Sequence, residues 1–114
     1  MKSLPLIVAL IAAVIPVPAN GKDARCVIRQ QGKVAFSGAC VFDQEKDGSF
    51  FIRRHDTKTI LPNIIDVSVT IISDGVAEVR GLTTDGINSR WGRAIRSKAD
   101  AACWTGSDFE ICAY

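Results

Sequence analysis

The chain has 114 residues, with 14 Lys and Arg against 12 Asp and Glu, a single His and a formal charge of +2. A balance this close to neutral supplies no global field for nucleic acid or a membrane surface. One imidazole also leaves little material for acid–base catalysis.

The first element is a leader. Lys2, the apolar run from Leu4 to Val17 and the small residues of Val17-Pro18-Ala19 read as a secretory signal peptide over residues 1–19, cut after Ala19. The run is shorter than the roughly 20 apolar residues a bilayer core requires, and Pro16 and Pro18 interrupt it, so no membrane anchor is expected after cleavage. The residues before Cys26 are Lys22-Asp23-Ala24-Arg25, unlike the small and aliphatic residues that precede a lipidated cysteine. The mature chain, residues 20–114, is expected to be one β domain, periplasmic or secreted. It carries 13 Lys and Arg (14 less Lys2) against 12 acids. A domain of about 95 residues buries only about 60 to 65% of its unfolded surface, so covalent staples help it.

Beyond the leader no helical period occurs. Short apolar and alternating runs, separated by turn dipeptides, predict strands over 25–30, 34–42, 49–54, 64–72, 76–82, 88–96, 101–105 and 109–113. The clearest is Ile64 to Ile72, where Ile65, Val67, Val69 and Ile71 alternate with Asp66, Ser68 and Thr70. Gly32, Asp47-Gly48, Asp74-Gly75, Asp85-Gly86 and Gly106-Ser107 mark the hairpins. The stretch 55–63, HDTKTILPN, is the least regular and reads as a loop or a short irregular strand. The fold expected is an all-β antiparallel meander of about eight strands, closed or nearly closed into a small barrel, because closure removes exposed edges.

All four cysteines lie beyond the leader, and an even number in an oxidising compartment predicts two disulfides. Four cysteines allow three connectivities. Hairpins turning at Gly32 and at Gly106-Ser107 favour Cys26 with Cys40 and Cys103 with Cys112, since each would bring its pair within bonding reach. Zinc is not expected, because no Cys-x2-Cys spacing occurs and the only histidine is His55.

Few residues suggest catalysis. His55 comes directly after Arg53 and Arg54 and reads as a solvated loop residue. Asp108 and Glu110 stand two apart on a strand, a spacing that could divide acid and base roles, but Thr105 and Ser107 beside them indicate solvent. Asp43-Gln-Glu45-Lys-Asp47-Gly48 matches half a calcium loop, with Arg54 where the closing carboxylate belongs, so an acidic turn is expected in its place. No catalytic residue, cofactor or metal is therefore assigned.

The candidate binding residues are Thr84, Asp85, Asn88, Ser89, Arg90, Trp91 and Arg93. Between Asp85 and Asp100 the chain has four cations, Arg90, Arg93, Arg96 and Lys98, around Trp91 and no acid. On an uninterrupted strand Ser89, Trp91, Arg93 and Ile95 share one face. Trp104 could join them from the next strand. Trp and Arg are enriched at binding hot spots, which sets a binding surface against the alternative of core tryptophans with solvated arginines.

Cys26-Val-Ile and Asp85-Gly86 leading to Trp91-Gly92-Arg93-Ala94-Ile95 resemble the periplasmic inhibitors of c-type lysozyme, small secreted eight-stranded barrels whose Trp-x-Lys-Gly-x-x-Ala-x-Leu strand is similar. The family's Ser-Gly-x-x-Tyr inhibitory loop is replaced here by Thr83-Thr84-Asp85-Gly86-Ile87. The ending from Ala102 to Ala113 is similar to uncharacterised small envelope proteins of Gram-negative bacteria. The resemblance implies a non-catalytic domain that binds a protein or cell-wall partner, and an inhibitor of a cell-wall hydrolase such as lysozyme. A structural envelope protein without inhibitory activity is the alternative, and an enzyme acting on envelope polymers a third.

Overall fold

Alternation of β-branched residues with polar ones produces eight strands in the computed structural model, which describes residues 21–114. They are β1 (Lys22–Gln30), β2 (Lys33–Gln44), β3 (Phe50–Arg53), β4 (Ile64–Ser73), β5 (Val76–Thr83), β6 (Asn88–Arg96), β7 (Cys103–Thr105) and β8 (Phe109–Ala113). Each pairs antiparallel with the next and β8 returns to β1, so the meander closes into a barrel as expected. The leader and its cleavage site fall outside the described residues.

Turn chemistry sets the hairpins. Gln31 (φ 53°) and Gly32 (φ 78°) both adopt the left-handed conformation, the arrangement a two-residue connection needs if it is to match the twist of the strands it joins. Gln30 therefore faces Lys33, and this fixes the register of β1 on β2.

An eight-stranded barrel is just wide enough inside for side chains to fill it. Ile28, Ile52, Val67, Val69, Val79 and Ile111 fill it here, all fully buried, each contributing about 1.5 to 3 kcal/mol by leaving water. In β4 the alternation holds for Val67 and Val69 but not for Ile65. The register shifts between Ile64 and Asp66, and Ile64 packs against the core.

The two disulfides join Cys26 to Cys40 and Cys103 to Cys112, the favoured pairing. They differ in position. Cys26 faces Gly38 and Cys40 faces Ala24, so the first bridge runs diagonally between strands, inside the barrel among the main core. Cys103 faces Cys112 directly, and with Val27 this bridge forms a separate buried cluster on the outer face of the sheet.

The irregular segment 54–63 has a structural task. Ile60 and Leu61 are each 4% exposed and belong to the main core. Ile60 N–H donates to the Ile64 carbonyl at 2.9 Å, and Leu61 forms an isolated bridge with Ile64. The loop thus folds inward and plugs the barrel end that also carries the 31–32, 84–87 and 106–108 turns.

Candidate binding surface

The first candidate residues lie on the turn between β5 and β6, and that turn is tightly held. Thr83 N–H donates to the Ile87 carbonyl (2.8 Å), Gly86 N–H to the Thr83 carbonyl (3.0 Å), and Ile87 N–H to the Thr83 hydroxyl (2.9 Å). The Thr83 hydroxyl also donates to the Asp85 carboxylate. A second anchor comes from the plug segment. Thr84 N–H donates to the Asn63 carbonyl at 3.1 Å, and the two side chains bond to each other. Thr84, Asp85, Gly86 and Ile87 are all exposed, and Ile87 presents 59% of its surface to solvent. A short loop cross-linked in this way presents Asp85 and Gly86 at its tip and Ile87 at its base at little ordering cost.

The next strand, β6, does not keep one face. Val79 pairs with Gly92 but Arg80 pairs with Arg90, so Trp91 is an extra residue in β6, a β-bulge, and Gly92 takes a φ of 124° that few other residues tolerate. The extra residue resets the alternation. Trp91 turns inward, where its ring lies over Gly81 and meets Phe109 edge-on at 5.8 Å. A Cβ at position 81 would stand 2.9 Å from the indole nitrogen, so only glycine leaves room for this ring. Ala94 is also inward and fully buried, while Arg93 and Ile95 are exposed.

The expectation that Trp91 and Arg93 share a face is therefore corrected. Two alternations out of phase, joined at the bulge, put the tryptophan inside and the arginine outside. Ser89 is half-buried and donates its hydroxyl to the Gly81 carbonyl at 2.6 Å. Asn88 is exposed, with its carbonyl accepting from Arg80 at 3.4 Å. Arg90 points outward and pairs with Glu78 at 2.5 Å. Burial pushes the Glu78 carboxyl up, but hydrogen bonds and charge from Arg80 and Arg90 outweigh it and hold the group below its ordinary value. Trp104 does not join Trp91. It is 5% exposed in the core, faces Ile111, and carries the Arg96 guanidinium 5.5 Å above its ring.

Beside β6 lies an open cleft of about 650 Å³, lined by Gln30, Gln31, Lys33, Val34, Arg90, Trp91 and Asp108, with Ala35 and Phe109. It was not legible in the sequence, because its walls come from three separate hairpins. Arg90 and Trp91 are the two candidate residues that reach it.

The remaining carboxylates have partners of their own. Glu110 accepts from Arg29 at 3.0 Å and from the Thr105 hydroxyl at 2.9 Å. Asp43 is 7% exposed, 3.6 Å from Arg53, and its second oxygen is buried without a hydrogen-bond partner. Asp47 accepts from Ser49 N–H at 2.9 Å, closing the acidic turn and lowering its pKa. Asp43, Glu45 and Asp47 do not converge as calcium ligands would. Among the described residues the one group of three candidate ligands within reach of one another is Cys103, Glu110 and Cys112. Its two sulfurs are spent in the disulfide. His55 is exposed and lies 3.4 Å from Asp23.

Asp66 stands on the outer wall with Phe51, Ser68, Leu82 and Asn88, below the 83–87 loop. Burial raises its carboxyl pKa, and Arg53 offsets this only in part. The charged form is thus disfavoured on folding. The associated stability is present at low pH and is lost as pH rises through the folded-state pKa. Asp66→Asn should accordingly be more stable than the parent at pH 7, with the gap closing near pH 3, below the ordinary carboxylate pKa of about 3.9. Urea midpoints across this range check it, and a gap independent of pH would contradict it.

Comparison with protein-family models, with curated proteins and with solved structures returned no match.

Proposed function

We propose that the protein is a periplasmic or secreted, non-catalytic β domain that binds another macromolecule through the 83–93 region, and that it does so as an inhibitor of a cell-wall hydrolase such as lysozyme. The observation that carries this reading is the cross-braced 83–87 loop, which holds the exposed Ile87 at its base, where the chain enters the strand that carries the outward Arg90 and Arg93. A rigid loop with an exposed apolar side chain at its base, followed along β6 by two outward arginines, suits the acidic cleft of a hydrolase, since ordering costs little and charge guides approach. Two disulfides suit an oxidising compartment, in keeping with the leader read from residues 1–19.

The test is capture from envelope extract, with c-type lysozyme added as a defined ligand, by the parent and by an Arg90→Ala/Arg93→Ala variant. Arg93 is exposed and Arg90 forms a surface ion pair with Glu78, so the variant should melt within about 1 kcal/mol of the parent. It should bind at least about 1 kcal/mol more weakly per hot-spot residue lost. Lysozyme that keeps full activity in a molar excess of the protein would remove the inhibitor form of the proposal. Undiminished capture by the variant would remove the site.

A further inference from the structure

The far edge of β6 is open. The strand pairs with β5 from Asn88 to Ile95, but with β7 only at Ile95 and Arg96. The reason lies in the lengths: β7 has three residues against nine in β6, and the 97–102 turn brings it alongside only the last of them. Along 88–94 no backbone hydrogen bond among the described residues reaches that edge. The cleft lies here, between Arg90 and Trp91 on one wall and Asp108 and Phe109 of the next hairpin on the other, with Gln30, Gln31 and Lys33 closing one end. Successive residues of a strand direct their N–H and C=O groups alternately to its two edges, and the bulge at Trp91 resets that alternation, so residues on either side of the bulge, within 88–90 and 92–94, offer unmet donors and acceptors to the gap.

We infer that the cleft receives an extended acidic segment of the binding partner, which adds to β6 as a further strand. This rests on the reading of the protein as a binding domain and specifies how the partner engages it. Main-chain bonds to the open edge supply affinity, and alternate side chains supply selectivity. The cleft offers Trp91, Phe109 and the exposed Val34 to apolar side chains on one face of the added strand. Acidic side chains are favoured because the lining carries two cations, Lys33 and Arg90, against a single acid, Asp108, and Lys33 has no carboxylate partner among the described residues; Arg93, outside the lining, adds a further cation on the same strand.

The test uses linear 12-residue peptides selected from a random displayed library on the protein with both disulfides formed. Selected peptides should carry acidic residues at alternate positions. Methylating the amide nitrogens at odd or at even positions should then weaken binding at least tenfold for one set and less than twofold for the other, because only one set faces β6. Arg93→Pro removes an edge donor and should weaken the same peptides at least tenfold; if that variant does not fold, the methylation series decides alone. Equal tolerance of both methylated sets, no enriched peptide, or β6 edges paired in a dimer of the protein would overturn the inference. Capture of an envelope partner that depends on Arg90 and Arg93 but is not competed by the peptides would sink the added strand and leave the binding domain standing. Peptides sensitive to methylation, with no partner captured, would do the reverse.

Discussion

Replacing Trp91 with alanine is expected to destabilise the protein by about 3 kcal/mol, the lower end of the range for truncating a core aromatic, because the ring is partly rather than fully buried. The indole covers Gly81, where no side chain exists to take its place, and it supports Phe109 edge-on. Its removal opens a void at the barrel end that Ile60 and Leu61 plug, and close-packed interiors collapse into such voids only in part. Arg93→Ala, two residues away, should cost less than about 0.5 kcal/mol. Urea denaturation of the two variants measures both. Equal effects would mean that the bulge does not direct the two side chains to opposite sides of the sheet.

Removing the Cys26–Cys40 bridge by double substitution to alanine should cost about 3 kcal/mol, and removing Cys103–Cys112 slightly less, about 2.5 kcal/mol. Their separations of 14 and 9 residues set these values through the loop entropy released in the unfolded chain. In a domain of this size each loss lowers the melting temperature by roughly 10 to 24 °C, at about 4 to 8 °C per kcal/mol. The consequences should differ in kind. Cys26 and Cys40 are fully buried within the barrel, so their loss acts on the whole core. The outer bridge instead ties three-residue β7 to β8, and β7 holds the seam to β6 through only two register pairs. Its loss should therefore free the seam first, seen as rapid amide exchange in β7 while β4 and β5 remain protected. Uniform exchange across all strands would contradict that division.

Particular residues show which features are legible from the chain alone. Val67 and Val69 alternate with Ser68 and Thr70, and a period of two needs no knowledge of the rest of the chain, so β4 can be read directly. Turn dipeptides act equally locally, and hairpins at Gln31-Gly32 and Gly106-Ser107 bring the paired cysteines together in the favoured connectivity. The candidate site fares less evenly. Its exposed turn and its arginines lie on the surface, but Trp91 and Ser89 turn inward. One signal for this stands in the sequence: a glycine inside a strand, Gly92, marks a bulge, and a bulge inverts every side chain beyond it. Ile60-Leu61, two apolar residues within an otherwise polar loop, is a similar signal for the plug.

The sequence by itself determined the eight strands and their turns and favoured one pairing of the cysteines among three, because each depends on residues close together along the chain. Only the tertiary structure decided which bridge lies inside the barrel, how a loop seals its end, that Asp43 is buried against Arg53, and that β6 keeps an open edge over a cleft. These depend on closure. Which residues meet across the barrel is set by the lengths and registers of strands far apart in the chain, and a shift of one residue, as at Trp91, exchanges inside for outside.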